Sequence, residues 1–90
     1  MSARPVTDRM WTLLREIGRH ESGASAEILA GQVGWSWLDV TTYLAILVGD
    51  RLAETTYVGT SAIYRATPRG RMLLARGTQL TLAEELARVG

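Results

Sequence analysis

Apolar residues recur at three- and four-residue steps through the first half of the chain, then give way to short β-branched and aromatic runs, a change of period from helix to strand. Met10, Leu13, Leu14 and Ile17 form one stripe behind Thr7, whose hydroxyl suits an N-cap. Val6 and Trp11 flank that cap at the spacing of a hydrophobic staple. A helix is expected over Thr7–Arg19, ending near Gly18 to His20, with Glu21-Ser22-Gly23 as the turn after it. Ser25 caps a second, short helix, Ala26–Val33, in which Ile28 or Leu29 shares a face with Val33. Gly34 and Trp35 form the joint to a third helix, Trp37–Gly49, capped by Ser36, where Val40, Tyr43, Leu44, Leu47 and Val48 repeat at helical spacing and Ile46 falls outside the stripe.

From Leu52 the chain turns to Thr, Tyr, Val and Ile. Ala53–Val58 and Ala62–Thr67, separated by Gly59-Thr60-Ser61, predict a hairpin. Thr67-Pro68 reads as a cap followed by proline at the first helical position, opening a helix over Pro68–Arg76 that Gly77 closes. Thr81-Leu82-Ala83-Glu84 spells a capping box before a terminal helix, Leu82–Val89. With no internal repeat or linker, the order describes one α+β domain over residues 1–90, its core over 7–76 and a C-terminal helix over 81–89.

Composition narrows the class of molecule. With 47% hydrophobic residues in a 90-residue chain, a single modest core is within reach. The absence of cysteine removes disulfides, thiolate metal sites and cysteine nucleophiles together. Tyr43 to Gly49, the longest apolar stretch, is far shorter than the roughly 20 residues a membrane span requires. No apolar segment follows the N-terminal charges Arg4, Asp8 and Arg9, so a secretory leader is not expected and the cytoplasm is the expected location. The formal net charge is only +1, and all ten basic residues are arginine, so any charged partner must be selected locally.

Two patterns carry a resemblance. Ser25-Ala26-Glu27-Ile28-Leu29-Ala30, the joint Gly34-Trp35-Ser36, and Val40-Thr41-Thr42-Tyr43-Leu44-Ala45-Ile46-Leu47 follow one another as a short helix, a small-residue turn and an apolar-spaced helix. Arg51-Leu52-Ala53 then precedes Ile63-Tyr64-Arg65-Ala66-Thr67-Pro68-Arg69-Gly70, a Tyr-x-x-Thr-x-x-Gly run leading into the next helix. Together, over about Thr7 to Arg76, they resemble the winged helix-turn-helix family, nearest to MarR-type and related transcriptional regulators. The resemblance implies a three-helix core with a hairpin wing and C-terminal helices, in which Val40, Leu44 and Leu47 are buried and the third helix enters the major groove of duplex DNA. It also implies a homodimer. On this chain the matching exposed positions are Ser36, Trp37, Asp39, Thr41 and Thr42, with Arg65 and Arg69 at the wing base as phosphate contacts.

The chain departs from that pattern in one respect. Trp37–Gly49 holds no basic residue and one acid, Asp39, and the wing turn Gly59-Thr60-Ser61 is uncharged, so base readout by charged side chains is not expected. Positive charge lies elsewhere: Arg65, Arg69, Arg71 and Arg76 occupy Thr55 to Thr81 without one acid, whereas Met1 to Glu54 holds five arginines against seven acids. The alternative function is a protein-interaction module that uses Trp37, Leu38 and Ile46 on the third helix.

The remaining chemistry-bearing residues favour structural roles. Trp11 belongs to the staple and Trp35 to the joint, while Trp37 is open to either exposure or burial. His20, the only histidine, sits at a helix end. No second histidine or cysteine completes a zinc site, no serine–histidine–acid relay is assembled, and no glycine pattern forms a phosphate loop. Neither an enzyme, a cofactor nor a metal is therefore expected. Leu82, Leu86 and Val89 form a stripe suited to packing on the first helix or, in the favoured reading, to pairing with a second copy.

Overall fold

The computed structural model describes residues 7–77. Three helices, α1 (Asp8–Gly18), α2 (Ala26–Val33) and α3 (Trp37–Gly49), precede an antiparallel hairpin of β1 (Ala53–Val58) and β2 (Ser61–Ala66). A further helix, α4, follows over residues 68–77. Each helix begins where a hydroxyl can satisfy an amide that the helix itself leaves free. Thr7 accepts from the Met10 N–H at 3.2 Å, Ser25 from Ile28 at 3.3 Å, Ser36 from Asp39 at 3.1 Å and Thr67 from Gly70 at 3.0 Å. Each such cap contributes about 1 kcal/mol.

The core lies where α1, α2 and α3 meet the hairpin base. Met10, Leu13, Leu14 and Ile17 of α1 are buried against Leu29 of α2, Val40, Leu44 and Leu47 of α3, and Leu52, Ala53 and Ala66. Burial of each large side chain stabilises the domain by about 1.5–3 kcal/mol. Within α2 it is Leu29 that faces inward, while Ile28 is exposed. Ile46, outside the expected stripe, is nonetheless partly buried against the core.

Several boundaries also differ from those the sequence predicts. The register pairs Val58 with Ser61, so the turn contains only Gly59 and Thr60, and β2 spans Ser61–Ala66 rather than Ala62–Thr67. Gly59 has φ +64°, the sign that a two-residue hairpin turn demands of its first central residue and that glycine adopts without steric cost. Thr67 is thereby released to cap α4. Gly77, expected to close α4, is still helical. α3 ends at Gly49 as expected, and the left-handed residue beyond it is Arg51 (φ 62°). Amides of Arg51 and Leu52 bond back to Val48 and Leu47 carbonyls in a Schellman arrangement, with Leu47 and Leu52 both buried beneath it. The Val6 half of the staple and the terminal helix Leu82–Val89 lie outside the described residues.

Two long-range contacts fix the hairpin against the helices. Ala24, in the loop between α1 and α2, exchanges both backbone hydrogen bonds with Tyr64 at 3.0 and 2.8 Å, adding a one-residue bridge to β2. At the other end, the Thr67 hydroxyl donates to the Arg51 carbonyl at 2.7 Å and its amide donates to Leu52 at 3.1 Å. Gly70 is buried one turn later, where an added Cβ would collide with the Leu52 carbonyl oxygen. The Tyr64, Thr67 and Gly70 spacing thus has a physical basis: a bridge to the helical layer, a cap, and a close approach of α4 to the turn after α3. Gly70→Ala should cost about 1–3 kcal/mol through overpacking against backbone that cannot rotate away. A lowered thermal midpoint would show this, and an unchanged one would mean that α4 sits farther from Leu52.

Candidate nucleic-acid interface

α2, the joint Gly34-Trp35-Ser36 and α3 form a helix-turn-helix. Gly34 terminates α2 in the left-handed region (φ 73°), its amide and that of Trp35 both donating to the Ala30 carbonyl. Trp35 is partly buried against the core and meets Tyr43 with ring centroids 5.8 Å apart. The Arg9 guanidinium of α1 lies over both rings, 5.1 Å from the Trp35 centroid and 5.9 Å from that of Tyr43. One guanidinium nitrogen is also 3.7 Å from a carboxylate oxygen of Asp39. This cluster clamps the first two turns of α3 to α1. It was hidden in the sequence, since nothing local links Arg9 to residues about thirty positions away.

The cluster changes the role of Asp39. Expected as an exposed DNA-facing position, its carboxylate is half-exposed and turned toward α1 by Arg9. Ser36 is exposed, but its oxygen is engaged as the N-cap. Trp37 is 56% exposed, which settles its open assignment. Thr41 is partly buried and Thr42 exposed, and both hydroxyls donate to the Leu38 carbonyl, at 3.1 and 2.8 Å. The structure thus brings Ser36, Trp37, Asp39, Thr41 and Thr42 onto the first turns of one helix while committing most of their hydrogen-bonding groups locally.

The face of α3 turned away from the core is a strip that the sequence expectations did not assemble. At 3.6 residues per turn, Leu38, Thr42, Ala45 and Gly49 fall within roughly 60° of one another, opposite Val40, Leu44 and Leu47. All four are exposed. The signal was present in the helical period, because a buried stripe defines its own opposite face.

Arg65 and Arg69 occupy the hairpin base and the first turn of α4. Arg65 is partly buried on β2, opposite Glu54 in the register yet without an ion pair to it; its Nε is shielded from solvent and has no hydrogen-bond partner. Arg69 is exposed at the N-terminal end of α4, where the helix dipole disfavours a cation. Among the described residues the only ion pairs are Arg9–Asp39 and Arg19–Glu16, so the arginines of β2 and α4 are not neutralised by neighbours. His20 bonds through Nε2 to the Gln32 Oε1 at 2.8 Å, tying the end of α1 to α2. No group of three metal-ligating side chains is found among the described residues, and none of their helices is long and apolar enough to cross a membrane.

No protein-family model matches the sequence, and no curated protein matches it. Solved structures do. An ArsR-like transcriptional regulator from Rhodococcus sp. RHA1 is 29% identical, with a TM-score of 0.65 over 92% of this chain and 76% of that one. A mutant of S. aureus MepR, bound to an oligodeoxyribonucleotide, superposes with a TM-score of 0.85 at 18% identity, over 92% of this chain and 63% of that one. The homodimeric winged helix-turn-helix DNA-binding domain of a possible ArsR-family transcriptional regulator from Mycobacterium bovis gives 0.72 at 21% identity, over 89% and 72%. With their helix-turn-helix, two-stranded wing and α4, the described residues have a winged helix-turn-helix fold of the α+β class.

Proposed function

We propose that this chain binds duplex DNA and serves as a small, non-enzymatic transcriptional regulator in the cytoplasm. The observation that carries the reading is the combination of an uncovered outward face on α3 with unneutralised arginines at the hairpin base and the start of α4. A helix about 10 Å across fits the major groove, and cations beside it engage the phosphates that fix its register. DNA-bound MepR and the ArsR-like regulator from Rhodococcus support the same reading at the level of fold and of partial sequence likeness. On this reading Thr42 lies in the groove, Ser36, Trp37 and Thr41 flank it, Asp39 acts through its pairing with Arg9, and Arg65 and Arg69 contact phosphate. A homodimer, as in the M. bovis domain, would set two such helices about one DNA turn apart, roughly 34–36 Å.

The alternative, a protein partner held by Trp37, Leu38 and Ile46, is weakened because Ile46 packs against the core. Titrating a random-sequence duplex at several salt concentrations tests the proposal. Log K should fall linearly with log salt at about 0.9 per phosphate neutralised. Absence of any complex at low salt would overturn it.

A further inference from the structure

The outward strip of α3 poses a chemical problem for any reader of base edges. Recognition commonly relies on side chains that donate or accept two hydrogen bonds at once, and Leu38, Thr42, Ala45 and Gly49 include none. Thr42 has the only polar side chain among them, and its proton is engaged by the Leu38 carbonyl. That hydrogen bond also fixes the hydroxyl and leaves its oxygen only as a single acceptor, so what the strip offers outward is mainly carbon: the Leu38 side chain, 69% exposed, the Thr42 methyl and the Ala45 methyl. Side-chain size falls along the strip from Leu38 to Gly49, which lets the helix backbone come close to whatever it covers.

On the DNA-binding reading, on which this inference rests, only one feature of the major-groove floor is complementary to such a surface. Thymine presents a C5-methyl group there, whereas the other edges present donors and acceptors that an apolar strip would desolvate without return. We infer that α3 reads the 5-methyl groups of pyrimidines by apolar contact through Leu38, Thr42 and Ala45. Sequence preference follows from where methyls lie and not from hydrogen-bond pairing. The unneutralised arginines of β2 and α4 favour a polyanion over an apolar protein surface as the occupant. Thymine and 5-methylcytosine offer the same group at the same ring position, so either can supply it.

The experiment compares three duplexes of one sequence pool: with thymine, with every thymine replaced by uracil, and with uracil for thymine but 5-methylcytosine for cytosine. Binding of the full chain is followed by fluorescence anisotropy at fixed low salt. The uracil duplex should bind about fourfold more weakly for each methyl buried, at roughly 0.8 kcal/mol per carbon group, and 5-methylcytosine should recover part of the loss. Uracil also alters stacking, so the variants are decisive. Leu38→Ala and Thr42→Ser, both at exposed positions and the latter keeping the hydroxyl, should shrink the thymine-to-uracil ratio toward one. Equal affinity for thymine and uracil duplexes, with salt-dependent binding intact, would overturn methyl reading and leave DNA binding standing. Failure to bind any duplex would overturn both, and loss of self-association in Leu38→Ala without a thymine effect would assign the strip to a protein interface instead.

Discussion

Leu44→Ala and Leu47→Ala are each expected to destabilise the domain by about 2–5 kcal/mol, the range for truncating a fully buried leucine and leaving a cavity. Both side chains have no exposed surface, and both stand where α3 meets α1 and α2. A small domain has a total stability on the order of 5 kcal/mol, so either variant should lose most of its denaturant midpoint or fail to fold at ambient temperature. Leu44→Met, which conserves volume, should cost less than about 1.5 kcal/mol. Ile28→Ala provides the contrast, because Ile28 neighbours buried Leu29 yet is itself half-exposed. Its midpoint should move far less. Equal shifts for Ile28→Ala and Leu44→Ala in urea titrations followed by circular dichroism would show that the assignment of inner and outer faces is wrong.

That assignment was legible because it depends only on local period and local chemistry. Thr7, Ser25, Ser36 and Thr67 cap their helices through amides three residues away, a relation written entirely within a few consecutive residues. The hairpin is legible in kind but not in length, since Gly59-Thr60-Ser61 permits a two- or three-residue turn and the positive φ of Gly59 selects the shorter. Contacts between distant segments were not legible. The Ala24–Tyr64 bridge, the packing of Gly70 on Leu52 and the Arg9–Trp35–Tyr43–Asp39 cluster each join residues that sequence spacing leaves unrelated. The candidate site shows the same division. Its helix and its arginines could be picked out one by one, whereas the commitments of Asp39 to Arg9 and of Thr41 and Thr42 to the Leu38 carbonyl change what those positions have left to offer.

Because α3 contributes no charge beyond Asp39, affinity for DNA must come mainly from arginines outside it, and removing them is the most damaging change short of unfolding. Arg65→Ala with Arg69→Ala should weaken binding by roughly 10- to 150-fold for each charge-assisted hydrogen bond removed, from the roughly 1.5–3 kcal/mol such bonds contribute. The effect should be uniform across sequences, and the slope of log K against log salt should decrease by about one for each phosphate released. Arg69→Ala should hardly lower stability, since Arg69 is exposed, makes no ion pair and opposes the α4 dipole, whereas Arg65→Ala also removes a partly buried stem and should lower it modestly, so the double variant is checked for folding by circular dichroism. Thr42→Ala should behave oppositely, altering the order of preferred sequences while leaving the salt slope unchanged. Gel-shift and anisotropy titrations at three salt concentrations separate the two behaviours. An unchanged slope in the double arginine variant would remove Arg65 and Arg69 from the interface. If Trp37→Ala at the same time dissolved an oligomer seen by sedimentation, α3 would be an interface between proteins, anchored by an aromatic side chain of the kind that dominates such surfaces.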